Sequence, residues 1–224
     1  HQKKLKIARI KMSDIIDKFG KAFEQRIYEY ARCFRVKITD LTLEELIVQT
    51  WKSLGYNPDW NAGGHGPGKD IGVPELCLGF SVKSGKENSK RLTISSFRTT
   101  RFVTLQQKLE YFDGAGKNYT HYLVLSRLEK KVCKSCPMGS TTYTARMIPA
   151  DVVVAGDKEW HKTTSGWASS VVDGVRLRIQ KKMSDQFWFD IEKDTLDNHS
   201  DVIHLFSREI SDNERGSCDW KRVA

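Results

Sequence analysis

Asp70 and Lys83 stand on either side of the run IGVPELCLGFSV, with Ser81 two residues before the lysine. A carboxylate and an ammonium brought together in this way suit phosphodiester hydrolysis. The carboxylate is a hard oxygen ligand for Mg2+, which keeps several of its waters and needs only one or two such ligands. The cation binds the scissile phosphate and acidifies an attacking water. A lysine beside it can orient or deprotonate that water and offset the charge of the pentacovalent state. In an extended chain Ser81 and Lys83 share one face and Val82 points the other way, into a core.

The flanking residues suit a polyanion. GGHGPGKD supplies glycines that let a backbone pass close to a phosphate, with His65 and Lys69 placed to contact it; the same composition also suits a plain flexible turn. It is not a P-loop, because Lys69 is followed by Asp70 rather than by Ser or Thr. SGKENSKRLTISSFRTTR carries Lys86, Arg98 and Arg101 among Ser95, Ser96 and Thr99. Small hydroxyls and N–H groups at a helix start suit phosphates. Arg98 and Arg101, three apart on one helical face, could read a guanine or hold the backbone; a solvated basic face is the plainer alternative. VRLRIQKKM, with Arg176, Arg178, Lys181 and Lys182, is a second candidate DNA surface. Trp160, Trp167 and Trp188 read as core, with stacking at a base step the lesser option.

The elements that must position these residues follow from periodicity. Residues 13–36 carry apolar residues at helical spacing, with Ser13 as the expected N-cap. Thr42 and Glu45 read as a capping box opening a second helix, which Gly55 ends. KDIGVPELCLGFSVKSG reads as two strands joined near Leu76–Gly79. Residues 92–114 return to a helical pattern, with Phe102, Leu105, Leu109 and Phe112 on one face and Ser95 or Ser96 at its start. Residues 119–129 form a strand, TYTARMIPADVVVAG another broken at Pro149, and VRLRIQ and QFWFDI a hairpin around KKMSD. The last fifteen or so residues read as frayed. The order predicts a mixed α/β fold whose central mixed sheet lies between helices.

The 224 residues are read as a single domain, and a net charge of +9 favours an anionic partner. No segment is apolar enough to span a membrane, and the first twelve residues lack the apolar run of a signal peptide. The five cysteines, with no sign of export, predict reduced thiols. Cys133 and Cys136 form a CxxC without a second ligand pair at zinc spacing, so two thiols in a turn is the expected state.

The stretch from Asp70 to Lys83 resembles the PD-(D/E)xK nuclease core, and its spacing is similar to that of type II restriction endonucleases. GGHGPGKDI, SVKSGK and LTISSFRTTRF add to the likeness, which covers about residues 42–126; residues 127–224 are expected to complete the sheet and contribute DNA recognition. The resemblance implies that Asp70 opens the second core strand and binds metal, that Lys83 closes the motif, and that Ser81 occupies the position where Glu or Asp is usual. The missing carboxylate is then expected from the preceding helix, from Glu44 or, by preference, Glu45, with Glu75 a weaker option. The implied activity is Mg2+-dependent cleavage of double-stranded DNA at a short site, by a homodimer in a bacterial or archaeal cytoplasm, paired with a protective DNA methyltransferase. A junction resolvase-like nuclease of the same fold and a catalytically dead DNA-binding module are the alternatives, the latter suggested by Ser81.

Overall fold

The computed structural model describes residues 2–61, 68–132 and 138–216, with the backbone alone described over 2–11. The chain is mixed α/β, a large mixed sheet flanked by helices. Helix α1 spans Gln2–Cys33 and packs Ile16, Phe19, Phe23 and Ile27 into the core. It begins well before Ser13, which lies exposed within it rather than at its N-cap. Helix α2 spans Asp40–Ser53, and its N-cap is Thr39, whose side chain accepts from the Thr42 N–H at 3.3 Å. Thr42 is therefore the donor in the cap and not the cap itself. Gly55 does end the helix: with φ +87° it lets the Gly55 and Tyr56 N–H groups return to the Lys52 and Trp51 carbonyls.

Strands β1 (Asp59–Trp60), β2 (Ile71–Val73) and β3 (Leu78–Glu87) follow, the last two linked by a 3-10 turn at Pro74–Leu76 and by Cys77 in the left-handed region. The segment expected to be one helix over 92–114 is two elements. Arg91–Arg98 is strand β4, and helix α3 covers only Leu105–Gly116. Thr104 and Gln107 form the capping box of α3, so Ser95 and Ser96 cap nothing. Then come β5 (His121–Lys130), β6 (Ser140–Pro149), β7 (Trp160–Thr163), β8 (Gly166–Ser169), β9 (Val175–Gln180), β10 (Gln186–Glu192), the short helix α4 (Lys193–Asn198) and β11 (Ile203–Ser211). Of the tail read as frayed, Ile210 and Ser211 are paired with β6, 212–216 form a turn, and 217–224 lie outside the described residues. No helix among the described residues is long and apolar enough to cross a membrane.

The strands run in the order β11-β6-β5-β3-β4-β10-β9-β8-β7, with β2 and β1 attached beside β3. β3 and β5 are parallel, and the other pairs are antiparallel. Two cores result. α1 and α2 cover one face over β3, β5, β6 and β11, where Phe80, Val82, Leu123 and Met147 are buried. α3 packs on the opposite face against Leu92, Ile94, Tyr122, Phe187 and Phe189. Among the described residues no helix covers the first face over β4, β10 and β9, and there Thr93, Ser95, Trp188, Asp190, Arg176 and Arg178 alternate with the buried residues of the α3 face.

Candidate active site

β3 is paired along one edge with β5 from Phe80 to Lys86. Its other edge is shared: β2 pairs with Leu78–Phe80 and β4 with Gly85–Glu87. Between them, residues 81–84 face a gap in the sheet. A backbone N–H at such a gap needs another acceptor, and the Val82 N–H finds one in Asp70, whose Oδ2 it approaches at 2.7 Å. Asp70 is held there because its own N–H donates to the Phe80 carbonyl at 2.8 Å, one step beyond the β2 ladder. The same Oδ2 accepts from Ser81 Oγ at 3.3 Å and lies 3.5 Å from Lys83 Nζ. Lys83 Nζ also donates to the Val82 carbonyl at 3.0 Å, and it sits 5.7 Å from the centre of the Phe97 ring. Asp70, Ser81 and Lys83 thus meet in one place. Asp70 and Lys83 keep partial solvent access, at 22% and 16% of their side-chain surface.

The acidic residue that senses this pair is Glu44. Burial raises its pKa above the ordinary value; a hydrogen bond from Trp60 opposes this, the charge of Asp70 raises it further, and Lys83 lowers it. Trp60 Nε1 donates to Glu44 Oε2 at 2.9 Å, and Trp60 is itself fixed by pairing with Ile71 on β2. Glu45, the preferred supplement in the sequence, lies exposed on α2. Glu75 is exposed and accepts from the Asn57 N–H at 3.1 Å. The helix phase separates the two neighbours. Glu44 is in line with the buried Val48 and Trp51, whereas Glu45 is in line with the exposed Gln49 and Lys52.

Among the described residues, no group of three or more His, Cys, Asp or Glu side chains clusters at metal-binding range. Asp70 and Glu44 fit a Mg2+ ion that keeps most of its waters. Both are oxygen donors, and the charge of Asp70 makes it harder for Glu44 to ionise, a conflict that a divalent cation relieves.

The candidate DNA contacts divide. Lys69 and Lys86 are exposed, and the aliphatic chain of Lys69 lies over Gly79. Arg98 is exposed at the end of β4, and Arg101 lies in the turn that follows, stacked 4.4 Å from the centre of the Tyr111 ring. They do not share a helical face. Thr99 is fully buried; its hydroxyl donates to the Asp185 carbonyl at 2.6 Å and its carbonyl accepts from the buried Lys108 ammonium at 2.7 Å, so it braces a turn and is closed to a phosphate. Ser95 is half-buried on the α2 face, while Ser96 sits where β4 bulges against β10. His65, Cys133 and Cys136 lie outside the described residues. Of the second basic surface, Arg178 is committed to Asp190, at 2.9 Å and 3.1 Å, while Lys181 and Lys182 are exposed.

A cavity of about 1050 Å3 opens among α1, α3 and the starts of β3 and β5, and none of Asp70, Ser81, Lys83 and Glu44 lines it. The chain matches no protein-family model, no curated protein and no solved structure.

Proposed function

We propose that this protein is a Mg2+-dependent endodeoxyribonuclease of the restriction type, built on a PD-(D/E)xK-like core. The observation that carries the reading is the meeting of Asp70, Ser81 and Lys83 at residues 81–84 of β3, which neither β2 nor β4 covers, with Glu44 near enough to feel the charges of Asp70 and Lys83. A gap of this kind leaves polar groups pointing at open space beside a rigid strand, which is where a phosphate can be held against fixed charges.

Asp70 and Glu44 would hold the ion. When bound, Mg2+ supplies a Lewis acid for the scissile phosphate and lowers the pKa of an attacking water. Lys83 needs no large movement to serve that water or a phosphate oxygen, because its ammonium already lies at the gap, between the Val82 carbonyl and Asp70. Phe97 beneath it limits the positions it can adopt. Ser81 donates to Asp70 rather than acting as an acid, and so steadies the carboxylate. Trp60 does the same for Glu44. The net charge of +9 draws a polyanion toward these groups. Cutting both strands of a short site calls for two such centres, hence a twofold dimer, and a host would need a DNA methyltransferase to protect its own copies of the site.

Cleavage of mixed-sequence plasmid DNA in Mg2+, with EDTA and with the Lys83→Ala variant alongside, tests the reading. Discrete fragments that need both Mg2+ and Lys83 support it, and cleavage by the variant at the wild-type rate refutes it.

A further inference from the structure

A pocket of about 200 Å3 lies on the α2 face where the two helices stop covering the sheet, lined by Lys86, Thr93, Ser95, Arg127 and Trp188 among others. Among the described residues its charged lining side chains are both cations, and no carboxylate lines it. The pairing explains why they converge: Lys86 lies opposite Thr93 on β4 and opposite Arg127 on β5, so all three project from the same face. Lys86 makes no ion pair among the described residues. Arg127 Nε is 3.2 Å from Glu129 Oε1 but has no aligned hydrogen-bond acceptor, so that pair is a loose one. The Trp188 indole N–H is shut off from solvent and has no acceptor. A sequestered donor without a partner costs about 1–3 kcal/mol and calls for an explanation.

We infer that this pocket is a phosphate site, bound through Lys86, Arg127 and the Trp188 N–H. Lys86 has no carboxylate partner among the described residues and Arg127 shares only its Nε with Glu129, so the two cations favour an anion and suit a phosphate better than a neutral base edge. The inference rests on the proposed nuclease reading for the source of that phosphate, the DNA backbone. Lys86 lies three residues beyond Lys83 on β3, roughly 10 Å along the strand, and projects from the opposite face of the sheet, so a phosphate held there is a backbone contact separate from the candidate active site.

Two arms separate this proposal from the reading it rests on. In the first, 15N-labelled indole resonances are followed during titration with inorganic phosphate, and Trp188→Phe identifies the Trp188 signal. That signal is expected to shift with phosphate and to lose its response in Lys86→Gln/Arg127→Gln. An unmoved signal overturns the site. In the second, the affinity of wild type and of each single Gln variant for a mixed-sequence duplex is measured in EDTA between about 50 and 200 mM salt. Each lost contact lowers the salt slope by about 0.9, so each variant loses about 3.5-fold less affinity over that range than wild type. Equal slopes overturn the backbone assignment. A Trp188 signal that moves with phosphate in a protein that binds no duplex keeps the site, assigns it to a free phosphate ligand and overturns the nuclease reading. Both cations are at least partly exposed, and Gln retains most of their length, so the variants are expected to fold.

Discussion

Glu44→Gln separates a working carboxylate from a structural one, because it should do opposite things to stability and to activity. Gln keeps an oxygen that can accept from Trp60 Nε1, so the link between α2 and β1 survives. What disappears is a charge that burial and the neighbouring Asp70 both disfavour. A carboxyl whose pKa is raised in the folded state binds its proton more tightly when folded. Its contribution to stability is therefore fully present at low pH and falls as pH rises through the raised value. The variant should accordingly equal wild type at pH 4 and exceed it at pH 8. Relief of the buried charge is partly offset by a weaker, neutral hydrogen bond from Trp60, leaving a gain within about 1 kcal/mol, or about 2–4 °C in melting temperature.

Activity should move the other way. A carboxylate about 4 Å from a divalent ion is worth about 8 kcal/mol at an effective dielectric of about 20. If desolvation and water replacement cancel two thirds of that, about 3 kcal/mol remains, which is more than a hundredfold in cleavage rate at limiting Mg2+. Thermal melts at the two pH values and a plasmid-cleavage time course over a Mg2+ series read both effects, with Glu45→Gln as the matched control. Wild-type cleavage by Glu44→Gln, or an equal loss in Glu45→Gln, refutes the placement of the second carboxylate.

Lys83→Ala should reduce cleavage more than a hundredfold while duplex affinity in EDTA stays within about threefold, since Asp70 keeps the Val82 N–H; filter binding and gel assays on one preparation check both. Glu87 is buried, which pushes its pKa up, but hydrogen bonds from Arg146 and Ser126 outweigh that and hold it at about 2, so about 3 kcal/mol of stability present above pH 4.5 should be lost as pH falls toward 2, read by acid titration followed with near-UV circular dichroism. Arg146→Met strands that carboxylate in the core and should cost about 3–5 kcal/mol by urea denaturation. Gly166→Ala should cost at least about 2 kcal/mol in the same assay, because its φ is +150° and a Cβ there collides with the Ile179 carbonyl on β9.

Asp70, Ser81 and Lys83 are read from the sequence, and Glu44 is there to be read but is passed over for Glu45. Asp70, Ser81 and Lys83 could be placed together because a short hairpin has few alternative registers, and the residues at Ile71–Val73 and Leu78–Glu87 alternate and branch as strands do. Glu44 was legible too, in the phase of α2: it lies in register with Val48 and Trp51, both buried, and an acidic residue in line with a buried stripe calls for a partner. Glu45 is preferred although the expected Thr42–Glu45 capping box competes for it; the N-cap is in fact Thr39, one turn earlier, and the phase of the helix leaves Glu45 exposed. Strand β4 was unreadable for a different reason. Its bulge between Ser95 and Arg98 breaks the period of two, and the spacing of Leu92, Ile94 and Phe97 then runs on into Phe102 and Leu105 as if in one helix. The same bulge carries Phe97 onto the α3 side, beneath Lys83. Arg98 and Arg101 were placed on one helix face, and Thr99 among the phosphate contacts beside them, for the same reason, and only the tertiary position of Asp185 shows that Thr99 is buried.

The most direct test of the central claim is metal-dependent cleavage by the wild-type protein and by Asp70→Asn, on unmethylated phage DNA of mixed sequence in Mg2+ and in EDTA. The account predicts a fixed set of fragments from wild type in Mg2+ alone, and intact DNA from the variant under every condition. The same fragments from both proteins, or cleavage that persists in EDTA, would contradict it.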